Sequence, residues 1–185
     1  MPGHVQSKLF EIAFEQHGYV SVADARAAGV DARRLSELTA AGQAERKSQG
    51  LYRFEIVPFD DLDEFMFAAK WPRDKGVISH ETAAMLHGLG GVNPARIDVT
   101  VPRGYRSSID PPRRLRIHKF ELDQSSVTQI EGVPTVTAER SVKEMIEFGT
   151  RSDLIRQAID DARRGAMITA DQQAELITRL RDARQ

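Results

Sequence analysis

The chain has 185 residues, 41% hydrophobic and 29% charged, with 26 Lys/Arg against 27 Asp/Glu and a net charge of −1. That length suits two small domains or one medium one, and no apolar run approaches the roughly 18–20 residues of a membrane span. Zero cysteines remove disulfides, thiolate chemistry and Cys-type zinc sites together.

The N-terminal MPGHVQSKLF has no apolar signal core and no small-residue cleavage site, so the expected location is the cytoplasm. The near-neutral total hides an uneven distribution. Residues 1–57 carry seven basic and seven acidic side chains, whereas residues 103–119 carry six basic against one acidic.

Residues 7–17 read as an amphipathic helix, with Leu9, Phe10, Ile12, Ala13 and Phe14 on its apolar side and Gly18 ending it. Ser21 and Asp24 then form a capping-box pattern for a helix over 22–28, stopped at Gly29. Asp31 caps a second helix over 32–41, stopped at Gly42. Two helices joined through a glycine turn have the spacing of a helix-turn-helix. A strand over 44–47, a turn at 48–50 and a returning strand over 51–54 follow directly. The combination predicts a winged helix, whose second helix enters a DNA major groove while the hairpin lies along the backbone. The predicted core is Phe10, Phe14, Val20, Val22, Leu35, Leu38, Leu51, Tyr52 and Phe54. The predicted DNA-facing side chains are Arg33, Arg34, Ser36 and Thr39 on the helix and Arg46, Lys47, Gln49 and Arg53 on the wing. Arginine reads guanine bidentately and grips phosphate, while Ser, Thr and Gln serve either surface. With no net charge over 1–57, affinity needs a local basic face or help from elsewhere in the chain.

Pro58 marks the expected boundary, giving domains 1–57 and 58–185. Asp60 and Asp61 open a helix over 62–71, where negative charge favours a helix start. A helix over 80–86 is expected, capped by Ser79 and bearing His80 and His87. Seven residues span about 10.5 Å of rise, too far for one metal ion, so these histidines read as buried or capping. Residues 96–102 alternate as a strand, with Ile97, Val99 and Val101 on the buried face and Asp98 and Thr100 opposite. A basic loop over 103–114, strands over 115–122 and 127–130, and an extended segment over 133–136 complete a sheet of three or four strands. Three helices close the chain, over 138–148, 153–164 and 170–184, capped by Thr137, Ser152 and Thr169. The fold class is thus α+β: a winged helix-turn-helix, then a small sheet packed with helices and a three-helix segment.

No catalytic frame, phosphate loop or metal-ligand spacing emerges, so neither an enzyme nor a cofactor is expected. The cluster Arg103, Arg106, Arg113, Arg114, Arg116 and Lys119 is a candidate second phosphate- or partner-contacting surface. Six such contacts give a log–log salt slope of roughly −5.

Three stretches carry a family resemblance. They are GYVSVADARAAGVDARRLSELTAAGQAERKSQGLYRF (18–54), VISHETAAMLHGLGG (77–91) and GVPTVTAERSVKEMI (132–146). The matching positions in the last two are Ser79, His80, Ala83, Ala84, Leu86, His87, Gly88 and Leu89, then Val136, Thr137, Glu139, Arg140 and Ser141. The chain resembles the AbiEi antitoxins of bacterial type IV toxin–antitoxin systems. Glu144 stands where that family often has Asp, a change in side-chain reach. The resemblance implies an autorepressor that binds inverted repeats upstream of its own operon, with two copies on the DNA. It also implies a C-terminal domain that counters a nucleotidyltransferase-type toxin without a stable complex, and whose basic face aids DNA binding. The competing readings are a winged-helix regulator whose C-terminal domain senses a small ligand, and an enzyme such as a nuclease or nucleotidyltransferase.

Overall fold

The computed structural model describes residues 2–183, with side chains from Ser7 onward. Its contacts divide the chain into two units, Met1–Gly76 and Val77–Gln185.

In the first unit the order is α1 (Pro2–Glu15), β1 (Tyr19–Ser21), α2 (Val22–Ala27), α3 (Arg33–Ala40), β2 (Ala44–Ser48), β3 (Leu51–Phe54) and α4 (Asp63–Lys70). The strands form an antiparallel sheet in the order β1-β3-β2. The first helix begins five residues before its expected start, and β1 adds a third strand to the anticipated hairpin. The Ser21 hydroxyl accepts the Asp24 N–H at 3.0 Å, and the Asp24 carboxylate accepts the Ser21 N–H at 2.8 Å. This closes the expected capping box. Asp31 contributes less directly: the cap position is Ala32, and the Asp31 carboxylate accepts the Arg33 N–H.

Leu9, Ala13, Val20, Leu35, Leu38, Tyr52 and Phe54 pack in one core, edged by Phe10 and Val22. Each such large apolar side chain contributes roughly 1.5–3 kcal/mol on full burial. Phe14 was expected there but is 58% exposed. Leu9 and Ala13, at i and i+4, take the inward face of α1, and Phe14 projects beside it.

The contacts divide the chain at Gly76/Val77 rather than at 57/58, because α4 is tied to the first sheet. Asp63 of α4 accepts the Tyr19 hydroxyl at 2.8 Å and the Arg53 Nε–H at 2.7 Å, and Lys70 pairs with Asp24 at 2.9 Å. Trp71 is half-buried at the end of α4.

The second unit runs β4 (Val77–Ile78), α5 (His80–Leu86), β5 (Ile97–Val101), β6 (Leu115–Lys119), β7 (Val127–Ile130), β8 (Val133–Val136), α6 (Ala138–Phe148), α7 (Ser152–Arg164) and α8 (Ala170–Asp182). The sheet order is β6-β5-β4-β8-β7. It has five strands because the two-residue β4 lies between β5 (antiparallel) and β8 (parallel). All five β5 residues are buried, so both faces are covered and Asp98 and Thr100 lie inside.

Two caps form as expected. Thr137 accepts the Arg140 N–H, and Thr169 forms a capping box with Gln172. Two do not. Ser79 makes no cap hydrogen bond with its side chain. Ser152 lies inside α7 behind the cap residue Arg151, with its hydroxyl unpaired. The expected end of α8 at Arg184 lies outside the described residues. A core of Leu89, Val142, Met145, Ile155, Ile159, Leu176 and other side chains joins α5 to α8. The chain is therefore a mixed α+β protein with eight helices and two sheets among the described residues.

Candidate nucleic-acid interface

Leu35 and Leu38 fix the rotation of α3 by burying one stripe. Arg33, Ser36 and Glu37 are consequently exposed, with Arg34 and Thr39 at the flanks. Glu37 accepts from Arg34 at 2.9 Å and lies 3.5 Å from Arg33. Such exposed pairs are worth little, so phosphate can displace them at small cost. The Thr39 hydroxyl donates to the Leu35 carbonyl at 2.9 Å, and its oxygen still accepts.

The β2–β3 hairpin is held from below by the Val22 N–H, which donates to the Gly50 carbonyl at 2.9 Å. Gly50 takes a φ of +75°, which an L side chain adopts at a cost. The register shifts between Arg46 and Ser48, so Lys47 is the extra residue of a bulge. Arg46 and Gln49 are exposed; Lys47 is half-buried and pairs with Glu45 at 2.5 Å. Seven of the eight expected side chains thus sit on α3 and the hairpin with solvent access.

Arg53 is the exception. It is 2% exposed, its Nε bonds Asp63, and its Nη2 donates to the Val57 carbonyl at 3.1 Å. Its guanidinium carbon lies 3.5 Å from the Phe59 ring centroid. It is an internal strut between β3 and α4, not a wing contact. Burial, and then the hydrogen bond that the Tyr19 hydroxyl donates to Asp63, hold the phenol pKa above its ordinary value and keep it neutral.

In the second unit Arg103, Arg106, Arg113, Arg114 and Lys119 are exposed. Arg116 is set back beside buried Asp98, at 3.3 Å. The loop is not free chain: the Arg103 N–H donates to Glu121 at 2.7 Å, Arg96 Nε donates to the Arg113 carbonyl at 2.9 Å, and Tyr105 is buried.

The structure also assembles a polar cluster whose members lie far apart in the sequence. β5 and β6 pair in parallel with Asp98 opposite Arg116 and Thr100 opposite His118. His118 Nε2 donates to Asp98 Oδ1 at 2.8 Å. The His80 ring stacks on His118 with centroids 3.7 Å apart, and Phe148 meets both rings edge-on. The Glu144 carboxylate accepts the His80 backbone N–H and Arg140 Nε, each at 2.8 Å. It thereby satisfies the first N–H of α5. The Ser79 oxygen instead accepts from Thr100 at 2.9 Å and lies 3.0 Å from His80 Nδ1. Burial, followed by the neighbouring His118, pushes the His80 pKa down to about 4. Burial raises that of Glu144 despite its hydrogen bonds.

A period of two in β5 and β6 (98/100, 116/118) and of four in α6 (140/144/148) were the available signals. They meet only once the strand pairing is known. His87 lies apart, 2.8 Å from the Val136 carbonyl. A groove of about 430 Å³ between α7 and α8 is lined, among the described residues, by side chains of those two helices, including Arg156, Ile159, Ile177 and Leu180.

No curated protein matches the chain. A crystal structure of the RV2827C protein from Mycobacterium tuberculosis is similar, with a TM-score of 0.49 and 16% identity, covering 95% of this chain and 71% of that one. Residues 7–54, which hold most of α1, the two following helices and all three strands of the first sheet, match the model of the family described as "Transcriptional regulator, AbiEi antitoxin".

Proposed function

We propose that this chain is a DNA-binding antitoxin that represses its own operon, within a type IV toxin–antitoxin system. The observation that carries this reading is the regulator-family match over residues 7–54, the segment that presents Arg33, Arg34, Ser36, Arg46 and Gln49 from one helix and one hairpin. In this reading the first unit is a winged helix-turn-helix. α3 enters the major groove, where Arg33 and Arg34 exchange Glu37 for base edges or phosphate, and Arg46 and Lys47 hold the backbone. An inverted repeat receives two copies, one on each half-site. The exposed basic side chains of the 103–119 segment add phosphate contacts to an otherwise weakly charged module. The second unit counters a nucleotidyltransferase-like toxin without a stable complex. That the chain is not itself an enzyme is part of the same proposal.

The test is a gel-shift titration against the duplex immediately upstream of the gene. Arg34→Ala and Arg46→Ala each weaken binding about 5- to 150-fold, the worth of one good base or phosphate contact. Neutralising the exposed basic residues of the 103–119 segment flattens the salt dependence, losing up to about 0.9 of slope per contact removed. Unchanged binding in both arginine variants refutes the interface, and absence of specific binding by the native chain refutes the repressor.

A further inference from the structure

We propose that the second unit carries a nucleotide-binding site on the rim formed by Arg103, Arg116, Arg140, Phe120 and Phe148, above the buried carboxylates of Asp98 and Glu144. The ligand chemistry is a planar base bearing phosphate, either a free nucleotide or an unpaired nucleotide in a strand. This goes beyond the operator reading, which engages duplex backbone and needs no aromatic ring.

Three features mark the cluster as built for more than folding. Asp98 and Glu144 are almost wholly buried and each holds an arginine. Such buried pairs are often replaceable by apolar side chains without loss of stability. His80 adopts a φ of +53° with a bulky side chain, a strained conformation that concentrates at functional sites. The displaced titration of His80 and Glu144 fits the same pattern.

The rim then selects the ligand. Phe148 and Phe120 are 46% and 39% exposed, so each ring has an open part for a ligand. Arg116 lies 5.0 Å from the Phe148 ring centroid, and Arg140 and Arg103 lie 4.7 and 5.4 Å from that of Phe120. Aromatic faces and guanidinium planes both stack on bases. The carboxylates aim the guanidiniums and leave donors over. Arg140 binds Glu144 through Nε, which leaves its two terminal nitrogens for a phosphate fork. Arg116 Nη1 lies 3.3 Å from Asp98 Oδ1. The Glu121 carboxylate is held by the Arg103 backbone N–H at 2.7 Å, so the phosphate is met by guanidinium donors rather than by a net positive charge. Arg140 and Phe148 are eight residues apart on α6, about 12 Å of rise, so phosphate and base are engaged at separate points.

The test uses the full chain with Phe148→Ala and Phe120→Ala, two exposed positions on different elements, checked by circular dichroism. Calorimetric titration with the four ribonucleoside monophosphates, a short mixed-sequence single strand of DNA or RNA, and inorganic phosphate reads the site. The native chain binds a mononucleotide or the single strand, and each Phe variant weakens that binding about tenfold or more, the worth of a lost stacking contact. Mononucleotide binding identifies a free ligand; binding of the strand alone identifies an unpaired nucleotide. The upstream-duplex gel shift stays unchanged in both variants, so failure of the operator reading is seen separately. The proposal is overturned if the native chain binds neither probe, if both folded variants bind as the native chain does, or if inorganic phosphate binds as tightly as the nucleotides.

Discussion

Replacing Arg53 with Ala separates a buried strut from a DNA contact. The substitution removes the Nε bond to Asp63 and the Nη2 bond to the Val57 carbonyl, and leaves the Asp63 carboxylate, only 13% exposed, facing the Tyr19 hydroxyl alone. Removing one partner of a buried pair costs about 3–5 kcal/mol. For a domain of this size each kcal/mol lowers Tm by about 4–8 °C, so the first unit should melt at least about 12 °C lower. The chain has a single tryptophan, Trp71, and it lies in that unit, so its fluorescence follows the transition selectively. The double replacement Arg53→Met with Asp63→Leu removes both charges together and should recover most of the loss. Below the melting range Arg53→Ala should still bind the upstream duplex. A Tm within a few degrees of the native value, with DNA binding abolished, would refute the strut and return Arg53 to the wing surface.

Two further outcomes follow from the second unit. His80 titrates near 4 when folded against 6.5 when free, so the unfolded chain takes up its proton first as pH falls. The associated stability is therefore present above pH 6.5 and is lost as pH falls from 6.5 toward 4, by about 1–2 kcal/mol between pH 7 and 5. Urea titrations at the two pH values should show this difference in the native chain and its reduction in His80→Asn; an identical difference in both would remove His80 as its source. Gly90 has a φ of +68°, and an added Cβ would lie 2.8 Å from the Leu154 carbonyl oxygen, whereas at Gly88 (φ +72°) nothing lies within 4 Å. Gly88→Ala should cost only the left-handed conformation, about 1–2 kcal/mol, and Gly90→Ala clearly more, because α7 must also move. Equal losses in thermal melts would show that α7 yields freely.

The sequence alone determined what short-range chemistry controls. Ser21 with Asp24, Thr137, and Thr169 with Gln172 cap their helices within three residues, and Leu35 and Leu38 orient α3 by spacing alone. That was enough to place the helix pair and hairpin of the first unit and its exposed basic side chains. Tertiary structure decided what depends on partners far along the chain. The strands β1 and β4, three and two residues long, carry too little periodicity to read, and they exist because β3, β5 and β8 supply their hydrogen bonds. Arg53 alternates like a surface residue until α4 brings Asp63 against it. Ser79 has the composition of a cap, but its hydroxyl is engaged by Thr100, and the first N–H of α5 goes to Glu144, 64 residues beyond His80. His80 and His118 become neighbours only through the pairing of β5 with β6 and the seating of α5 beside them. Local sequence sets the cost of each turn and cap. Which side chains share a desolvated space is set by contacts between distant segments, and it is there that charge and strain acquire their strength.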